Sequence, residues 1–269
     1  MGFIYINGIF YEDSEAKISV KDRGFRFGDG VFETVSFHDG EIYRWDLHKK
    51  RLDGGLEALK IDFNSERVES DLLKTIERNK LTSGSARVTI TRGEGSRGYL
   101  PTYQRPCNVV IEAMELPKME REHANICISS YRKIPLQCLP VNYKLSQGLN
   151  STLAKIEARE KNFFEALQLT INDEIAECAS SNIFWVKGDK IYTPSLECGA
   201  LNGVIRQVIM ERSPYKIVEV KFKLKDLKKA DEIFITNTSI KLLFVDEVEG
   251  LWGNKKGYGV SGEIKKVIV

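Results

Sequence analysis

Tyr143-Lys-Leu-Ser-Gln-Gly-Leu-Asn-Ser-Thr-Leu-Ala154, Glu177-Cys-Ala-Ser-Ser-Asn-Ile-Phe184, Tyr192-Thr-Pro194 and Gly199-Ala-Leu-Asn-Gly-Val-Ile-Arg206 are the segments whose reading decides the fold. Residue spacing predicts helices over 148–161 and 203–211, and strands over 165–171, 182–187 and 190–192. Chemistry-bearing side chains fall at the junctions. Lys144 precedes the first helix, and Glu177 lies among small and apolar residues in Ile175-Ala-Glu-Cys-Ala179. A buried acid needs a partner, because desolvating an unpaired charge is costly. Gly203-Val-Ile-Arg206 opens the second helix, and a helix N-terminus suits a dianion. Taken alone, Lys144 reads as a surface lysine, and Glu177 has the alternative of a strand-end carboxylate facing water.

Outward from this stretch the signals remain mixed helix and strand. Residues 3–11 read as a hairpin turning at Asn7-Gly8. A strand is predicted over 31–37, a turn over 38–40, and a returning strand over 41–45. Helices follow over 46–59, with Leu47, Leu52, Leu56 and Leu59 near one face, and over 65–79, with Ser65 as N-cap. Strands are predicted over 86–91, 108–113, 124–129 and 232–236. Leu116-Pro-Lys-Met-Glu-Arg-Glu122 is charged, carries proline and has no apolar period. It reads as a linker (116–122) between a smaller domain, 1–115, and a larger one, 123–269.

Composition excludes several classes. Of 269 residues 42% are hydrophobic and 29% charged, and Lys+Arg of 40 against Asp+Glu of 38 leaves +2, which argues against a nucleic-acid footprint. The basic run 221–229 reads as a solvated face. The five cysteines form no CxxC pair and are odd in number, as expected of reduced thiols in a cytoplasmic protein. The N-terminus lacks signal-peptide features, and no apolar run approaches ~18 residues, so no membrane partner is expected. His38, His48 and His123 are dispersed, so no metal site is expected. There is no G-x-S-x-G elbow and no Walker loop.

Gly93-Glu-Gly-Ser-Arg-Gly98 matches G-x-G-x-x-G, follows a strand, and has Glu112 about 20 residues beyond its first glycine. A dinucleotide fingerprint needs a helix opening at the third glycine. Here Gly98 precedes Tyr99-Leu-Pro-Thr-Tyr-Gln-Arg-Pro106, whose prolines preclude that helix. The segment reads as a glycine-rich loop between antiparallel strands.

As a set, these motifs resemble the class-IV aminotransferase family, pyridoxal 5'-phosphate (PLP) enzymes of fold type IV. The resemblance runs from Ile6-Asn-Gly8 to Val248-Glu-Gly250. It implies a two-domain α/β (α+β) fold like that of D-amino-acid aminotransferase, a cleft active site between the domains, and a homodimer. It implies that Lys144 carries PLP as a Schiff base and shuttles a proton. It also implies that Glu177 pairs with the ring nitrogen, and that Val204 and Ile205 give backbone donors to the phosphate. Arg51 matches the family arginine on that phosphate, and Asn237 and Thr238 match a second phosphate-contacting turn. Arg97 is the candidate clamp for a substrate carboxylate, with Tyr99 beside it, and Phe32 and Thr34 would line the pocket wall.

Within the family, Arg92-Gly-Glu-Gly-Ser-Arg-Gly-Tyr99, Ser181-Asn-Ile-Phe-Trp185 and Leu201-Asn-Gly-Val-Ile-Arg-Gln207 look most like 4-amino-4-deoxychorismate lyases. These make 4-aminobenzoate and pyruvate. The alternative is a D-amino-acid or branched-chain aminotransferase. Gln147, Cys178 and Thr238-Ser-Ile-Lys241 depart from the pattern of relatives and bear on the substrate more than on the cofactor. A catalytically silent binder of small molecules on the same fold is the rival from another class.

Overall fold

The computed structural model describes residues 2–101, 106–116, 121–254 and 256–268. The chain divides into two compact units, Met1–Lys118 with Tyr143–Gln147, and Met119–Asn142 with Gly148–Val269. Of the segment read as a linker, residues 117–120 lie outside the described ones. Tyr143–Gln147, expected in the later domain, groups with the first unit. Backbone pairing is the reason. Phe32 N–H donates to the Lys144 carbonyl at 2.9 Å, Ser146 N–H donates to the Gly30 carbonyl at 2.9 Å, and Leu145 bridges Val31.

In the first unit β1 (Phe3–Ile6) and β2 (Ile9–Glu12) form the expected hairpin. A short helix α1 (Arg23–Phe27) precedes β3 (Gly30–His38) and β4 (Glu41–Ile42). Helices α2 (Trp45–Ala58) and α3 (Val68–Arg78) lead to β5 (Ser83–Thr91) and β6 (Asn108–Met114). The strands make one antiparallel sheet, ordered β2-β1-β6-β5-β3-β4. Val31, Val35 and Phe37 alternate along β3 and are buried, as are Ala86, Val88 and Ile90 across the pair. Against these α2 and α3 supply Leu52, Leu56, Leu72 and Ile76. Phe32, Thr34, Arg87 and Thr89 share the opposite face.

Three local expectations differ from the structure. The return strand stops at Ile42, because Arg44 adopts a left-handed conformation (φ 49°) and Trp45 begins the helix. Ser65 is not an N-cap. A 3₁₀ turn, Ser65–Arg67, precedes α3, the Asn64 side chain accepts from Glu66 N–H, and the Ser65 hydroxyl donates to Asp53. The buried face of α2 also carries His48 and Arg51, while Leu47 and Leu59 are only partly buried.

The second unit holds β7 (His123–Ile128), α4 (Leu149–Glu160), β8 (Glu165–Leu169), β9 (Ile175–Cys178), β10 (Asn182–Lys187) and β11 (Lys190–Pro194). It continues with α5 (Val204–Arg212), β12 (Lys216–Val220), α6 (Leu224–Leu227), β13 (Glu232–Asn237), β14 (Lys241–Val248), β15 (Trp252–Gly253) and α7 (Gly259–Val267). The sheet runs β12-β11-β10-β13-β14-β7-β8-β9, with β15 on β14. It curls far enough for β9 to touch β10 and β11.

Its two faces differ. Ile126, Leu167, Ile183, Trp185, Ile233, Ile235 and Val245 form the apolar core on one. On the other, Phe184 and Phe234 stack with centroids 5.1 Å apart. There α4 lays Ala154 and Ala158 over Cys127 and Ala166, and α5 and α7 pack on β13. Glu177 and Asn182 lie on this second face, so its packing fixes their place.

Phe184 is wholly buried. Phe184→Ala is expected to destabilise the protein by about 3–5 kcal/mol, and Phe184→Leu by less, as read from urea unfolding followed by circular dichroism.

Candidate active site

In the first unit the candidate residues gather around β3. The pairing of residues 144–146 with its first residues sets Lys144 beside Phe32. The Lys144 Nζ stands 4.3 Å from the Phe32 ring centroid, and the Arg87 guanidinium stands 4.0 Å from the same centroid. Thr34 lies opposite Arg87 in the β3–β5 register, on this face. Arg87 was not singled out in the sequence. Its signal was a cation at an alternate position of a strand whose other face is apolar. Gln147 Nε2 donates to the Phe27 carbonyl, tying the end of the lysine segment to α1.

Arg51 lies on the opposite face, in a buried ion pair. Its Nε and Nη2 donate to Glu33 at 2.7 Å each, and His48 Nδ1 donates to Glu33 Oε2 at 2.7 Å. Burial alone would raise the Glu33 pKa, but the charge and hydrogen bonds of Arg51, with His48, more than offset it and hold it at about 2. Burial also lowers the His48 pKa, only partly countered by Glu33. A neutral ring donating from Nδ1 leaves Nε2 an acceptor, and that atom is buried without a partner among the described residues. Arg51 is thus committed to Glu33 along one edge of its guanidinium.

The 93–98 loop is strongly anchored. Arg92 donates to Asp29 and to the carbonyls of Leu59 and Lys60 at 2.6–3.0 Å. Arg23 donates to Asp29 and to the carbonyls of Gly98 and Tyr99 at 2.8–3.0 Å. No helix occurs over 93–101, which disposes of the dinucleotide reading, and residues 102–105 lie outside the described ones. Arg97 and Tyr99 are exposed at the loop's tip.

In the second unit Glu177 is 5% exposed and meets three donors. Its Oε1 accepts from Lys133 Nζ at 2.5 Å. Its Oε2 accepts from Asn182 Nδ2 and from Leu201 N–H, each at 3.0 Å. Lys133 carried no motif that a sequence reading could use. Helix α5 has Gly203 as N-cap with no side-chain cap, and among the described residues nothing accepts from the N–H groups of Val204 and Ile205. A Cβ on Gly203 would stand 2.0 Å from Asn182 Oδ1, so any other residue there would force the Asn182 side chain to move. Asn237 Oδ1 accepts from Ser239 and Ile240 N–H, and its Nδ2 donates to Ser180 and Ser181. That side chain therefore builds the turn, and Thr238 lies half-buried at its bend.

These residues fit a phosphorylated pyridine. Free helix N–H groups suit the phosphate, an engaged carboxylate suits the ring nitrogen, and the buried Thr236 Oγ1, unpartnered among the described residues, offers a further donor. Among those residues no group of histidines, cysteines and acids could hold a metal ion, and no helix is long and apolar enough to cross a membrane. A depression of about 1020 Å³, lined in part by His123, Lys155, Arg159 and Asp246, includes none of the candidate residues.

Residues 30–248 match the amino-transferase class IV family, and the chain belongs to it. Members are PLP-dependent enzymes, so PLP is the cofactor and this chain is an enzyme. It is 33% identical to a putative branched-chain-amino-acid aminotransferase of Methanocaldococcus jannaschii, over 95% of this chain and 91% of that protein. It is 31% identical to aminodeoxychorismate lyase of Bacillus subtilis, over 98% of this chain and 96% of that protein. The T.th. branched-chain amino acid aminotransferase, solved with pyridoxamine 5'-phosphate, superimposes with a TM-score of 0.90 at 28% identity, over 99% of this chain and 92% of that one.

Gly203→Ala is expected to displace Asn182 and weaken PLP binding by about tenfold or more, as measured by fluorescence titration, with the far-ultraviolet dichroism unchanged. The stability contributed by Glu33 should be complete above its ordinary range near pH 4.5 and decline as pH falls toward about 2. Arg51→Met removes the partner and should cost about 3–5 kcal/mol at pH 7. In that variant Glu33 takes up its proton at higher pH than in the wild type, so the deficit should narrow between pH 7 and pH 3 in urea unfolding.

Proposed function

We propose that this chain is a PLP-dependent lyase that converts 4-amino-4-deoxychorismate to 4-aminobenzoate and pyruvate. The anchored loop Arg92–Tyr99 carries this reading. It holds the Arg-Gly-x-Gly-x-Arg-Gly-Tyr sequence in a defined shape through Arg23 and Arg92, with Arg97 presented outward. The Bacillus subtilis lyase, matched over nearly all of both chains, supports it. The substrate has one amine and two carboxylates, and Arg97 and Arg87 are the guanidinium groups offered to the latter.

In this reading Lys144 holds the cofactor covalently, and Glu177 meets its ring nitrogen. The N–H groups of Val204 and Ile205, the Asn237–Thr238 turn and Arg51 hold the phosphate. When bound, the cofactor supplies an electron-withdrawing ring conjugated to the carbon that bears the substrate amine. Displaced from the cofactor by the substrate amine, Lys144 Nζ would take the proton from that carbon. The C–O bond to the enolpyruvyl group breaks, its methylene carbon gains a proton, and the products are an aromatic amine and pyruvate, with atoms balanced. Phe32 keeps water from one side of Nζ, and Thr34 lines the wall. The enzyme acts as a cytoplasmic homodimer.

Freshly generated aminodeoxychorismate added to PLP-loaded enzyme should yield 4-aminobenzoate fluorescence, absent with Lys144→Ala. The Methanocaldococcus relative favours a second reading, amino transfer. Absence of 4-aminobenzoate, with transfer from D-alanine or a branched-chain amino acid to 2-oxoglutarate, would replace the lyase with an aminotransferase.

A further inference from the structure

We propose that Lys133 is a positioning residue for the cofactor ring, acting through Glu177; this rests on the reading that Glu177 meets the ring nitrogen. The Lys133 side chain is 10% exposed and Glu177's is 7%. Exposed pairs contribute little, and burying an ammonium on a flexible stem needs a reason beyond surface pairing. The surroundings are built to hold it. Beyond β7 the chain continues along β8, with Ser129 N–H donating to the Leu167 carbonyl at 2.8 Å and Lys133 N–H to the Leu169 carbonyl at 2.9 Å. Gln168, opposite Glu177 in the β8–β9 register, donates from Nε2 to the Tyr131 carbonyl at 3.4 Å. Gly199 has φ +77°, and a Cβ there would lie 2.8 Å from the Ile134 carbonyl and 3.4 Å from Lys133 Cγ. The lysine stem is therefore enclosed and its ammonium aimed at one oxygen.

A carboxylate offers about four acceptor positions. Lys133, Asn182 and Leu201 occupy three, from three separate chain segments. The carboxylate cannot rotate without breaking one of them, and one position remains for a ring N–H. The charge matters as well. Lys133 and Glu177 form a near-neutral pair, so a protonated ring nitrogen meets a weaker negative field than a lone carboxylate would give. Lys133 thereby sets both the orientation of Glu177 and how strongly the ring holds its proton.

The test uses full-length Lys133→Met, Lys133→Gln, Lys133→Arg, Glu177→Gln and the Lys133→Met/Glu177→Gln double variant, each checked for native dichroism and loaded with PLP. Lys133→Met should weaken PLP binding by about tenfold and move the visible absorption band of the bound cofactor. Lys133→Arg should restore both. The double variant should be no worse than Glu177→Gln alone, since both act through one contact. If Lys133→Met does not fold, Lys133→Gln, which keeps a donor of similar reach but no charge, gives the same comparison of band and affinity. Wild-type affinity and band in the Lys133 variants, with Glu177→Gln impaired, would overturn the role of Lys133. An unimpaired Glu177→Gln would overturn the Glu177 reading itself.

Discussion

A charge taken out of water must be met by donors, and that requirement organises both units. Glu33 is wholly buried in the middle of β3, and α2 can pack on that strand only by bringing Arg51 and His48 to it. Asp29 plays the same part between α1 and β3. Burial would raise its pKa, but hydrogen bonds from Arg92 and Arg23 outweigh this and hold it below the ordinary range. Through those two arginines Asp29 joins the start of β3 to the 93–98 loop and to the end of α2. In the second unit Glu177 gathers Lys133, Asn182 and Leu201 from three places in the chain. The ion pairs are therefore ties between segments that local propensity does not connect.

This explains how far the sequence could be read. Strands with plain alternation, such as β3 and β5, and helices with apolar spacing, such as α4 and α5, were legible to within a few residues of their ends. Four-residue β9 was missed because so short a run carries no period. The edge strand β12, the strand β14 and the helix α7 were also missed. The leucine pattern of α2 misjudged its inward face, since the deepest polar side chains there, His48 and Arg51, answer to Glu33 and not to a leucine stripe.

The proposed site was named through motif resemblance, residue by residue, where chemistry demands a fixed type. A lysine for the imine, an acid for the ring and glycine before a helix could all be named. Residues that act by proximity could not. Arg87 reaches Phe32 from the neighbouring strand, and Lys133 reaches Glu177 from 44 positions upstream. Their types are common, and only the pairing of strands brings them in. The grouping of Tyr143–Gln147 with the first unit belongs here too, because two backbone hydrogen bonds to β3 carry no side-chain signature.

The second face of the large sheet bears a cost that a ligand can offset. Gln168 Oε1 and Thr236 Oγ1 are buried without partners among the described residues. Gln168 lies in register with Glu177, and Thr236 in register with Asn182. An unmet buried polar atom costs about 1–3 kcal/mol, a cost the apolar cluster on the first face does not carry. The same face presents the uncapped N–H groups at the start of α5. Unmet donors and acceptors concentrated around one engaged carboxylate mean that binding a polar, phosphorylated ring there would stabilise the fold by the same contacts that orient the ring. In the proposed reading, cofactor binding and the stability of the second unit are thus linked, because a ligand that meets these groups only in the folded chain favours folding.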